Sequence, residues 1–159
     1  MSTLKVNSIQ NLSGIDNRGK VLQFAFARYD PNGDIYTTVA QDTELTSDVS
    51  LTFTPKLSNS KLFVITRYHT RMINANGCTY GIYRDGVKVD GMFQRNSLDF
   101  FFKGDSVNHH YTGKCEAYLD SVSTAPTTFT IWASGWAAGT WERSYAFGEH
   151  SIAVMEIAP

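Results

Sequence analysis

The chain has little of what most enzymes and nucleic-acid readers are built from. Charged residues are only 18% of its 159 positions, and 14 basic against 15 acidic side chains leave a net charge of −1. Nor is there a basic stripe that would suggest a nucleic-acid binder. There are two cysteines, Cys78 and Cys115, too few and too far apart for a disulfide framework or a zinc motif; they read as two buried thiols. No apolar run approaches the roughly 20 residues a membrane-spanning helix needs. The first ten residues are polar and alternating, without the apolar stretch of a signal peptide, so synthesis and folding in a cytoplasm are expected. Helical periodicity is also missing. There are only four prolines.

What is present is strand alternation, with aromatic residues at 13%. Leu22, Phe24 and Phe26 share one face of a strand over 21–29. Asp30-Pro31-Asn32-Gly33 is a turn, and 35–40 returns as a strand. Val49, Leu51 and Phe53 alternate with Ser50, Thr52 and Thr54 until Pro55 stops them. A long strand over 61–71 and another over 78–83 follow. The latter runs into Asp85-Gly86, whose residues tolerate the positive φ of a tight hairpin. Segments 114–119 and 127–135 are expected to pair through the link 120–126, and 151–157 closes the chain. Eight to ten strands and no helix predict an all-β fold: an antiparallel jelly-roll-like β-sandwich over 21–159, preceded by a short N-terminal arm over 1–20.

Candidate chemistry is sparse. Asp30 to Asp34 begins like a calcium loop, but the sixth and twelfth positions hold Ile35 and Gln41 instead of Gly and Glu. His109-His110 would face opposite ways on a strand and so cannot easily ligate one ion within one chain, although a symmetric oligomer could place one His from each subunit around an axis; the other reading is a polar loop flanking Tyr111. His69, between Arg67 and Arg71, reads as a surface or interface residue. No nucleophile elbow, phosphate loop or HExxH occurs. Asp99, Asp105, Glu116 and Asp120 could be paired by the fold as a glycosidase pair, but nothing singles out two of them. The expectation is no enzyme and no cofactor or metal.

The aromatic residues offer more. Phe129, Ile131 and Ala133 read as core. Thr130, Trp132 and Ser134 share the opposite face with Trp136, and Trp141, Tyr145 and Phe147 follow in a glycine-bearing stretch. Rings on loops give contact area at low rotamer cost. Trp136, Trp141 and Tyr145 are therefore candidate receptor contacts; the alternative is that these rings seal the end of the sandwich or an intersubunit seam. Phe100-Phe101-Phe102 carries the same two readings.

Several segments, in this order, resemble a known group. They are Ser60-Lys61-Leu62-Phe63-Val64, Tyr83-Arg84-Asp85-Gly86, Tyr118-Leu119-Asp120-Ser121 before a Thr-rich strand, and Val154-Met155-Glu156-Ile157-Ala158. Together with the opening Ser2 to Gln10, they resemble the small all-β domains of phage tail-fibre and related virion surface proteins, especially of marine and cyanobacterial phages. The resemblance implies a non-catalytic homotrimer of jelly-roll-like subunits on a virion; the expected role is a small fibre or adhesin, with other tail or capsid proteins and host glycan or protein as partners. No shaft is legible, which favours a short knob attached directly to the particle. The arm, through Leu4, Val6 and Ile9, is the expected attachment to the virion; a capsid decoration protein is the alternative role, and a glycan hydrolase a third.

The closing strand is apolar on both faces. Ile152 and Val154 share a side with Glu156, whose carboxylate prefers a wet or paired position. Ala153, Met155 and Ile157 make the cleaner core set. The expectation is that Ile152 and Val154 lie at the trimer interface and that the other face joins Phe24 and Phe129 in the core.

Overall fold

The computed structural model describes residues 19–29, 35–39, 44–72, 76–89, 99–103, 109–135, 139–144 and 150–159, with side chains described within 19–29, 49–69, 79–89, 111–132 and 150–159. The strands are β1 (Val21–Tyr29), β2 (Ile35–Val39), β3 (Glu44–Phe53), β4 (Lys61–Met72), β5 (Asn76–Arg84), β6 (Val87–Lys88), β7 (Asp99–Lys103), β8 (His109–Asp120), β9 (Thr127–Gly135), β10 (Gly139–Ser144) and β11 (His150–Ile157). They form two antiparallel sheets, the sandwich that strand alternation predicts. One sheet runs β1-β11-β4-β10-β2, with β8 on the other edge of β4. The second runs β3-β9-β5-β6, with β7 also on β5.

Most strands fall where alternation places them, and β1 and β9 match to the residue. Two were not resolved as strands by sequence: β7, the triple-phenylalanine segment, and β10, inside the glycine-bearing stretch. Two expected pairings are different. β8 and β9 do not pair: β8 joins β4 while β9 joins β3 and β5, so the link between them carries the chain from one sheet to the other. β2 does not return along β1; it pairs with β10. The Asp85-Gly86 hairpin is present, with φ of 53° and 77° at its two central residues. Asp85 also ties this turn to β9, its carboxylate accepting from Thr127 Oγ1 (2.6 Å) and Thr128 N (2.7 Å).

The core lies between the sheets. Leu62, Val64, Thr66 and Tyr68 of β4, Cys115 and Ala117 of β8, and Ile152 and Val154 of β11 face Val49 and Phe53 of β3, Phe129 and Ile131 of β9, and Tyr80 and Ile82 of β5. Tyr68 and Tyr80 stack across the interior with ring centroids 3.7 Å apart. The hydroxyl of Thr66, fully buried, is satisfied by the backbone of Cys115 (3.3 Å). Cys115 is buried and forms no disulfide; the side chain of Cys78 lies outside the described residues.

This core corrects the assignment of the closing strand. Ile152 and Val154 are 0% exposed within the single chain, so they belong to its own core and not to a seam between subunits. Phe24 is 59% exposed, so it does not join Phe129 inside. The reason is Glu156. It is fully buried at the end of the sandwich, where the β3–β4 connection supplies polar partners. Side chains alternate along a strand, so placing Glu156 inward also sends Val154 and Ile152 inward, and Ala153, Met155 and Ile157 outward. Register with β11 carries the same parity to β1: Gln23 sits opposite Glu156, Ala25 opposite Val154 and Ala27 opposite Ile152. Phe24 and Phe26 must then point out.

Candidate assembly surface

The two sheets wear different outer faces. On the second sheet, Ser50 and Thr52 of β3 and Thr128 and Thr130 of β9 point away from the core. Thr52 and Thr128 hydrogen-bond each other side chain to side chain (3.1 Å). At this β3–β9 end the sheet faces water. Trp132 shares this parity but is fully buried. Its ring lies against Gly81, where a Cβ would come within 2.5 Å of it. Lys88 Nζ sits 4.5 Å from the ring centroid.

The outer face of β1-β11-β4-β8 is apolar instead. Register puts Phe24, Met155, Phe63 and Tyr118 in one row across the four strands. The adjacent row is Phe26, Ala153, Ile65 and Glu116, and on the other side Val21 and Ile157 lead to Lys61 and Asp120. Phe63 and Tyr118 contact each other at 6.3 Å between centroids, tilted by 56°. Phe26 is 51% exposed and Tyr118 60%. Charge is confined to the margins: Arg28, Arg67 and Lys114 form the next row, Lys114 Nζ bridges Glu116 (2.8 Å), and Lys61 bridges Asp120. Apolar centre and charged border are the anatomy of an interface.

Beneath this face, Glu156 fixes the edge of the sheet. Its carboxylate accepts from Gln23 Nε2 (2.7 Å), Lys56 N (2.9 Å), Leu57 N (3.0 Å) and Ser60 Oγ (2.6 Å). Burial pushes this carboxyl up, but the donors more than offset it and hold it below its ordinary value of 4.5. Lys56 Nζ adds a bond to Leu22 O (2.9 Å), tying the same loop to β1. At the neighbouring corner, Gly19 N donates to Ala158 O (3.1 Å) and Ala158 N to Lys20 O (2.8 Å), so the chain arrives at β1 alongside its own end. The rigid frame therefore holds the aromatic row in place from below.

Of the residues singled out by sequence, Leu4, Val6, Ile9, Trp136 and Tyr145 lie outside the described residues. Trp141 sits on β10, opposite Thr37 of β2 and Met72 of β4. His109 and His110 open β8, opposite Met72 and Arg71. The carboxylates of Glu116 and Asp120 each pair with a lysine on the outer face. Sequence reasoning missed the outer aromatic row. The signal was there in Phe24-Ala25-Phe26-Ala27, where large and small residues alternate on opposite faces, but sequence alone does not say which face is in.

No family model matches this sequence, and the search of curated proteins gives no match. Among solved structures, the chain is similar to one in a structure titled "Structure of infectious bursal disease virus Gx strain", with a TM-score of 0.49 and 10% identity. That similarity covers 96% of this chain and 37% of the viral one, so this chain spans well under half the length of its neighbour.

Proposed function

We propose that this protein is a non-enzymatic structural subunit of a virion surface, working as a homotrimeric short tail fibre or adhesin. The observation that carries the reading is the outward apolar row Phe24–Met155–Phe63–Tyr118, a face suited to a protein that functions packed in an assembly. The resemblance of its ordered motifs to phage virion surface domains supplies the setting. In this reading residues 1–20 attach the subunit to other tail or capsid proteins through Leu4, Val6 and Ile9. Trp136, Trp141 and Tyr145 contact host glycan or protein. The side chains described offer little to a hydrolase: Glu156 is consumed by its structural donors, and Glu116 and Asp120 are engaged by lysines.

A capsid decoration protein is the second reading, favoured by the same face, because a broad apolar sheet suits permanent packing better than reversible capture. Antibody labelling of intact particles separates the two. Label at the tail together with cell binding lost in Trp136→Ala supports the fibre. Label over the head, with fragile particles when the protein is missing, supports decoration. Absence from purified particles refutes both.

A further inference from the structure

We infer that the outer face of β1-β11-β4-β8 is where copies of this chain pack against one another, with Phe24, Phe26, Phe63, Tyr118 and Met155 at the centre of the contact. The inference rests on the proposed assembly role and deepens it by naming the seam.

Area is the first argument. An aromatic side chain carries about 150–250 Å² of buriable surface. Phe24, Phe26 and Tyr118, each more than half exposed, therefore leave about 100 Å² apiece. Adding Val21, which is 49% exposed, and the half-buried Phe63, Ile65, Met155 and Ile157 brings the patch to the order of 500 Å². A standard interface buries about 800 Å² per partner, about two-thirds of it apolar at the core. The patch thus matches the apolar share of one side of a stable interface.

Shape and charge point to a copy as the occupant. The face holds both a ridge, Phe24–Met155–Phe63–Tyr118, and beside it a row in which Ala153 leaves a gap between the larger Phe26 and Ile65. A ridge and a gap on the same face are self-complementary: the ridge of one copy seats beside Ala153 of the next. With a net charge of −1, copies carry almost no mutual repulsion. The marginal pairs Lys61–Asp120 and Lys114–Glu116 neutralise those four border charges within each copy.

The test is the mass of the full chain by size-exclusion chromatography with light scattering at tens of micromolar, for wild type, Phe24→Asp with Tyr118→Asp, Tyr118→Lys alone, and Val122→Asp as a control. Val122 is 76% exposed on the β8–β9 link, outside the face. Wild type and the control should elute as a multiple of 17.8 kDa, and the double variant as a monomer with an unchanged far-ultraviolet spectrum. Should the double variant unfold, Tyr118→Lys, on a side chain already mostly in solvent, should still weaken association at least tenfold. A monomeric wild type overturns the inference, whether the face then proves to be covered by residues 1–18 or by another protein; so does a double variant that keeps the wild-type mass. Particle labelling is independent of this result. A monomer found on particles sinks the seam alone, whereas an oligomer through this face that is absent from particles sinks the virion role alone.

Discussion

Replacing Glu156 with glutamine should be among the most damaging near-isosteric changes in the chain. The carboxylate is fully buried and surrounded by donors: Lys56 N, Leu57 N and Ser60 Oγ converge on one oxygen, and Gln23 Nε2 and Lys56 N on the other. Glutamine keeps the shape but turns one oxygen into an NH₂ group. If its remaining oxygen takes the position that serves Ser60 and Leu57, its NH₂ meets Gln23 Nε2. Gln23 can relieve that clash only by flipping its amide, which breaks its bond to Thr54 O (2.7 Å). Hydrogen bonds to a charged group contribute about 1.5–3 kcal/mol each, and an unsatisfied buried donor costs about 1–3 kcal/mol. Easier desolvation of the neutral amide offsets part of this, so the expected loss is about 3 kcal/mol at neutral pH. For a chain of this size that corresponds to a fall of about 6–12 °C in Tm.

The pH dependence of the same variant checks the cause. Glu156 has its folded-state value depressed below 4.5. Its stabilisation is therefore fully present above the unfolded value and is lost as pH falls through the folded value. The gap between wild type and Glu156→Gln should be constant from pH 8 to about pH 5 and close progressively below about pH 4.5. Urea unfolding at a series of pH values, at one protein concentration, measures it. A variant within about 0.5 kcal/mol of wild type at pH 7, or a gap that does not narrow in acid, would refute the reasoning.

Gly81→Ala drives a methyl group into the Trp132 ring, 2.5 Å from its nearest atoms, and should cost about 1–3 kcal/mol in denaturant unfolding with a change in tryptophan fluorescence. Asp85→Ala removes two bonds to β9 and puts alanine at a φ of 53°; a loss of about 2 kcal/mol is expected, with Asp85→Asn milder because asparagine tolerates that backbone. Cys115, 1% exposed in the core, should react with a thiol reagent only at the rate of unfolding; rapid modification in native buffer would contradict its placement.

Much of the fold was legible because period-2 alternation and turn chemistry are local. Val21 to Tyr29, Thr127 to Gly135 and the Asp85-Gly86 hairpin needed nothing beyond their own residues. Pairing was not legible in the same way. That β8 crosses to β4, and β9 to β3 and β5, depends on which sheet each apolar face covers, a long-range choice that the segment 121–126 does not encode. Parity was the hardest part. Alternation groups Ile152, Val154 and Glu156 on one face, and of the wet or paired positions open to the carboxylate the structure supplies the paired one. The inference that this face looks outward failed because the partners, Lys56 N, Leu57 N, Ser60 Oγ and Gln23 Nε2, lie inside, on a loop a hundred residues earlier in the chain and on β1. One misplaced carboxylate reversed two strands, since a strand has only two faces. With the parity set by Glu156, the seam we propose lies at Met155 and its neighbours.

Hydroxyl-radical footprinting of the concentrated wild-type protein, read by mass spectrometry, tests the central claim most directly. After correction for intrinsic reactivity, Phe24, Phe26 and Tyr118 should be strongly protected although each is more than half exposed in the single chain, while Val87 (69% exposed) and Val122 (76%) label freely. Dilution to the monomer should abolish that protection. If Phe24 and Tyr118 label as readily as Val122 in the concentrated sample, the face is open to water and the account of this protein as an assembly built through it is wrong.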